Sequence, residues 1–194
     1  MNIDTITELV KSKLSEKRFF HTLAVVKFSK ELAEHYHVNI DNAILAATLH
    51  DITKEEKTII QLQNVKKSDI ILDTVFYENE NLHHGITAFL FAKNELQIQN
   101  EDVLNAIRYH TTGRENMSML EKIIYVADAC SYDRTYEDAE NLRKLALEDI
   151  DECIFKIIEF TVSLQIQKRM LIGLDTIHCY NSLLLSRGKR NGKG

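Results

Sequence analysis

His50 and Asp51 stand side by side at the end of a run, residues 43–49, that is almost wholly apolar. Taking an unpaired carboxylate out of water is expensive, so a buried Asp51 needs a positive partner. A divalent metal is one such partner, and a half-solvated helix end is the ordinary alternative. Other residues bear on the choice: His21, His84, His110 and Asp128 occupy inward faces or ends of separate helical stretches. Any one of these histidines could be a core side chain satisfied by a backbone carbonyl, but the set together strains that reading. Helical bundles build metal sites from inward side chains on facing helices. Imidazole and carboxylate donors without thiolate suit an octahedral transition metal, with iron preferred and manganese or cobalt as alternatives, better than structural zinc. Successive helical side chains point about 100° apart, so His50 and Asp51 can share an ion only near a helix end. Asp51, with two oxygens, could also bridge to a second ion.

Composition bounds the function classes. A chain of 194 residues is long enough for one domain with a full core, here residues 1–186, followed by a basic tail, 187–194, expected to be disordered. The net charge of −5 argues against a nucleic-acid binder, which needs a basic surface to displace counterions. A small phosphate-bearing ligand is still compatible, since it needs only a metal and a few placed cations. Cys130, Cys153 and Cys179 are odd in number and widely spaced, and they read as free buried thiols in a reducing compartment. No signal-peptide pattern or membrane-length apolar run is present, so the expectation is a cytoplasmic protein with no membrane partner. A homodimer is compatible with the sequence, but no exposed stripe stands out to argue for it. His35, His37 and His178 read as bland.

The elements that must carry these residues are helices. The chain has no proline and only six glycines, three of them in the last seven residues, a vote for an all-α bundle. Val25, Phe28, Leu32 and Tyr36 form a helical stripe with His21 one turn earlier, so His21 points inward. Asp41 is expected to cap a buried central helix over residues 42–51. Residues 55–80 suggest two short helices with ENEN as a surface turn. Helices are predicted from His84 to about Leu96 and from Asp102 to His110, the latter stopped at Thr112 and Gly113. Ser118 and Glu121 form a capping-box pattern for a helix that places Leu120, Ile124 and Asp128 on one stripe. Three more helices are predicted, over residues 138–147, 149–169 and 176–185.

The order His, His-Asp, Asp resembles the HD superfamily of metal-dependent phosphohydrolases. Further segments narrow the likeness: SEKRFFHT at residues 15–22, LHDITK at 49–54, His84-Gly85 with Ala88, YHTTG at 109–113 and YVAD at 125–128. Together they resemble the bacterial HD-domain symmetrical diadenosine tetraphosphate hydrolases, the YqeK type, over residues 15–185. The resemblance implies an HD-domain helical bundle with a metal site between helices, and a dinucleoside polyphosphate substrate cut at its centre to two ADP. It implies His21, His50, Asp51 and Asp128 as ligands of one or two metal ions, with His84 and His110 on a second ion or on phosphates. Asp51, Lys54, His84 and His110 would act in catalysis. Arg18, Lys54, Arg134, Thr111, His84 and His110 would contact the substrate, and Leu171, Asp175 and Thr176 would line the nucleoside pocket. The family often has a proline shortly before the position of Arg134, whereas here Ala129, Cys130, Ser131, Tyr132 and Asp133 precede it. His83 stands where the family is often aromatic, which leaves open whether it replaces His84, assists it or does neither. Two alternatives compete: an HD phosphohydrolase acting on a guanosine polyphosphate or a nucleoside monophosphate, and a catalytically silent nucleotide sensor.

Overall fold

With so little glycine and no proline to punctuate it, the chain relies on capping side chains to set its helix boundaries. The computed structural model describes residues 2–191 except 71 and 73, with side chains as far as Arg187. Its helices are α1 (Ile3–Lys13), α2 (Glu16–His35), α3 (Ile40–Leu49), α4 (Thr58–Lys66), α5 (Thr74–Glu78), α6 (His83–Asn94), α7 (Glu101–Tyr109), α8 (Met119–Cys130), α9 (Ala139–Glu148), α10 (Ile150–Gln167) and α11 (Leu174–Asn191). A 3-10 turn, Glu80–Leu82, links α5 to α6. Among the described residues there is no β-strand, and no helix is long and apolar enough to cross a membrane.

The caps explain the starts. Ser15 opens α2, Asn100 opens α7 and Asp149 opens α10, each accepting from a first-turn amide. At α8 the expected box is complete: Ser118 Oγ accepts from Glu121 N at 3.1 Å, and Glu121 accepts from Ser118 N at 3.2 Å. The start of α3 differs from expectation. Asn39, not Asp41, is the cap, accepting from Asn42 N at 2.9 Å. Asp41 lies inside the first turn, where a negative charge suits the helix dipole.

Helix α3 is the axis of the bundle and packs against α1, α2, α7 and α8. Its Ala43, Ala46 and Ala47 are fully buried, and their small side chains let the surrounding helices approach. Val25, Phe28 and Leu32 of α2, Leu104 and Ile107 of α7, and Ile123 and Ile124 of α8 close the core around it. Gly113, at φ +65°, donates its amide to Tyr109 O at 2.8 Å and stops α7, as a left-handed glycine does.

The ENEN stretch is not a plain surface turn. Asn79 is buried and caps the 3-10 turn, accepting from Asn81 N at 3.2 Å. The second short helix expected before it is cut to the five residues of α5, and residues 71 and 73 lie outside the described ones. Helix α11 continues to Asn191, beyond the end expected near residue 185. The expected disorder of the basic tail falls largely on residues 192–194 and on the side chains of 188–191, all outside the described set.

One close approach aligns the site. A Cβ on Gly85, in the first turn of α6, would lie 2.8 Å from the Arg108 carbonyl oxygen of α7. Replacing Gly by Ala gains about 1 kcal/mol of helix propensity, but separating two packed helices costs about 1–3 kcal/mol. Gly85→Ala is therefore expected to lower the thermal midpoint and to move His84 away from His110. An unchanged midpoint in a melting experiment would contradict this.

Candidate metal centre

Two of the histidines sit at helix C-caps, and that position governs how their rings are held. His50 ends α3 and His110 ends α7. The last carbonyls of a helix lack intrahelical donors, and each ring uses one. His50 Nδ1–H donates to Ala47 O at 2.6 Å, and His110 Nδ1–H donates to Ile107 O at 2.7 Å. With the proton fixed on Nδ1, each Nε2 carries its lone pair inward. His21, in the second turn of α2, has Nε2 2.9 Å from Asp128 Oδ1 of α8. His84 enters from α6, with Nε2 3.0 Å from His110 Nε2 and 3.3 Å from Asp51 Oδ1.

These side chains form two overlapping sets. His21, His50 and Asp51 offer donor atoms within 4.8 Å of one another, and so do Asp51, His84 and His110. Asp51 belongs to both. Asp128 joins the first set, its Oδ1 lying 4.0 Å from His50 Nε2. The donors fit a metal on one direct observation: His50 Nε2 is completely buried and has no hydrogen-bond partner. A buried lone pair facing two carboxylates is a poor arrangement without a cation and a good one with it.

Residues 18–133 match the HD domain family. The chain belongs to the HD domain family. Relatives named "Bis(5'-nucleosyl)-tetraphosphatase, symmetrical" include one from Halalkalibacterium halodurans, 38% identical over 96% of this chain and 100% of that protein. Another, from Staphylococcus aureus, is 36% identical over 93% of this chain and 94% of that protein. A crystal structure from Clostridium acetobutylicum, described as a predicted HD superfamily hydrolase involved in NAD metabolism, superposes with a TM-score of 0.93 at 34% identity, covering 96% of this chain and 98% of that one. HD-domain membership and the buried His/Asp cluster together indicate a divalent metal ion.

The charge states suit that role. Burial raises the Asp51 pKa, but the His50, His110 and His84 imidazoles outweigh it and hold the carboxyl well below its usual range. Asp128 is likewise held down, against its burial, by the His21 hydrogen bond and then by His50. Burial pushes His50 down, and burial with His110 and Lys54 pushes His84 well down, which keeps both in the neutral, ligating form. His21 goes the other way. Burial lowers it, yet the hydrogen bond and charge of Asp128, with help from Asp133, leave it raised.

Cations line the rim of this HD-domain site. Arg18 Nη1 lies 3.2 Å from Asp51 Oδ2, and Arg134 Nη2 lies 3.0 Å from Asp128 Oδ1. Lys54 Nζ sits 3.0 Å from His84 Nδ1, with burial lowering its pKa. Arg134 reaches the site although the family's proline is missing, because a turn from Arg134 N to Ser131 O at 2.9 Å folds the loop back. Glu55 ties the start of α2 to the loop after Asp51, accepting from Ser15 N at 2.5 Å and from Ser15 Oγ at 2.7 Å. Thr111 Oγ1 lies 3.2 Å from His84 Nε2 and also lines a neighbouring cavity with Thr112, Gly173 and Asp175. Thr176 is buried nearby, whereas Leu171 is 48% exposed and does not line that cavity. His83 turns away: its Nε2–H donates to Phe76 O at 2.9 Å, and its ring packs against that of Phe76 with centroids 4.9 Å apart.

The sequence reading missed Asp133, whose Oδ2 lies 2.9 Å from His21 Nδ1. The available signal was a carboxylate in the loop directly after the Asp128 helix, next to Arg134. A ligand that binds only the folded state at 100 times its Kd stabilises by about 2.7 kcal/mol. Saturating manganese(II) is therefore expected to raise the thermal midpoint relative to chelator-treated protein, and His50→Ala is expected to abolish most of that rise. An equal rise in His50→Ala would place the ion elsewhere.

Proposed function

We propose that this protein hydrolyses diadenosine tetraphosphate at its centre to two ADP, with the cluster around Asp51 holding the metal. The observation that carries the reading is the sharing of Asp51 between two buried His/Asp sets rimmed by three cations. The activity named for the relatives, which align over nearly the whole chain, supports the same substrate. It does not favour the guanosine polyphosphate, nucleoside monophosphate or silent-sensor alternatives.

When bound, a divalent metal would supply polarisation of a phosphoryl oxygen and activation of a water. His21, His50, Asp51 and Asp128 would hold it, with His84 and His110 completing a second set through Asp51. Iron is the ion this donor mixture favours, with manganese or cobalt as substitutes. Arg18 and Arg134, each with its side chain about a third exposed, would turn from their carboxylates to pair with phosphate oxygens. Lys54 and Thr111, both against His84, would bind the phosphate that leaves with the second ADP. The cavity lined by Thr112, Gly173 and Asp175 would take one nucleoside, so that its distance from the Asp51 cluster selects which anhydride bond is cut. Water adds to one central phosphorus as the bridging P–O bond breaks, and its oxygen ends on one of the two ADP molecules. The three buried free cysteines support a reducing, cytoplasmic setting.

Incubation of the metal-loaded protein with diadenosine tetraphosphate should give ADP as the only nucleotide product by chromatography. AMP with ATP would mean asymmetric cleavage and a different subfamily. Asp51→Ala should lose both bound metal and hydrolysis while keeping its helical circular-dichroism signal.

A further inference from the structure

His21 is held differently from the other two histidines whose Nδ1 has a single acceptor. His50 and His110 stand at helix ends, where the carbonyls of Ala47 and Ile107 are free to take their Nδ1–H. His21 lies inside the 20-residue α2, where the carbonyls of the preceding turn belong to the helix ladder. One of them, Arg18 O, also accepts from Thr22 Oγ1 at 3.2 Å. Within α2 the ring has no helix-end carbonyl of the kind that serves His50 and His110. The loop after α8 supplies one: Asp133 Oδ2 lies 2.9 Å from His21 Nδ1 while His21 Nε2 faces Asp128 Oδ1, also at 2.9 Å.

We infer that Asp133 is a positioning residue that fixes the ring and the tautomer of His21, directing its Nε2 lone pair into the metal site. A carboxylate behind an imidazole orients it and makes it a stronger donor, and loss of such a partner weakens metal affinity by about 10–100-fold. Asp133 reaches the cluster through His21 Nδ1, the ring nitrogen opposite the one that faces Asp128. Its position is set from two sides. Ser131 ends α8 and its carbonyl accepts from Arg134 N at 2.9 Å, while Tyr132 packs edge-on against Phe28 of α2 with ring centroids 5.5 Å apart. The short loop therefore delivers a base-side carboxylate to His21 and Arg134 to Asp128, one on each side of the His21–Asp128 contact.

The inference rests on the metal reading of the cluster. Its test is manganese(II) affinity of the full-length protein, measured by competition with a chelator at a temperature well below the metal-free melting midpoint. Asp133→Ala is expected to bind manganese about 10–100-fold more weakly than the unaltered protein. Asp133→Asn, which keeps an oxygen acceptor without the charge, is expected to fall between them, and the KM for substrate at saturating manganese should stay unchanged in both. Equal affinity in all three proteins, or a rise in KM with affinity unchanged, would overturn the positioning role. Absence of manganese binding to the unaltered protein would instead overturn the metal reading itself.

Discussion

A carboxylate removed from water governs this structure. The Asp51 side chain is only 4% exposed, and an unpaired ion in such a place costs of the order of several kcal/mol even after relaxation. Arg18 stands 3.2 Å away, His84 3.3 Å, and His50 and His110 each 3.7 Å. Four helices and one loop are aimed so that their polar atoms meet there. Each of these polar atoms is itself buried or half-buried, and His50 Nε2 has no hydrogen-bond partner among them. The cluster is therefore satisfied as a unit or not at all.

The bundle solves the aiming problem with helix ends. A histidine at a C-cap finds a free carbonyl for one ring nitrogen and presents the other to the interior, so His50 and His110 are orientated by the same backbone feature that terminates α3 and α7. His84 reaches the site from the opposite direction, at the start of α6, and the side-chain-free Gly85 lets that helix close on α7. Alanine at three buried positions of α3 brings α2, α7 and α8 near enough for their ligands to converge. Packing and chemistry are thus set by the same small residues.

Much of this arrangement was legible in the sequence. The helical stripes placed His21 and Asp128 inward, the apolar run pointed to His50 and Asp51, and the structure brings all four together with His84 and His110. The helix boundaries were less secure where two residue types that cap well lie close together: Asn39 and Asp41 both suit an N-terminus, and Asn39 is the one that caps α3. Asp133 could not be read from local pattern, since its contact with His21 spans 112 residues and depends on how one loop folds over α2. Leu171 was named through the family resemblance alone: it lies in the irregular stretch between α10 and α11, which has no periodicity from which to read direction, and its side chain is 48% exposed.

Asp51 is the carboxylate common to the two ligand sets. Anomalous diffraction from crystals of the manganese-loaded protein tests it most directly. The predicted result is a peak bonded to Asp51 and to His50 Nε2, with any second peak on the His84 and His110 side sharing Asp51. Manganese bound within the protein without Asp51 as a ligand would contradict the account.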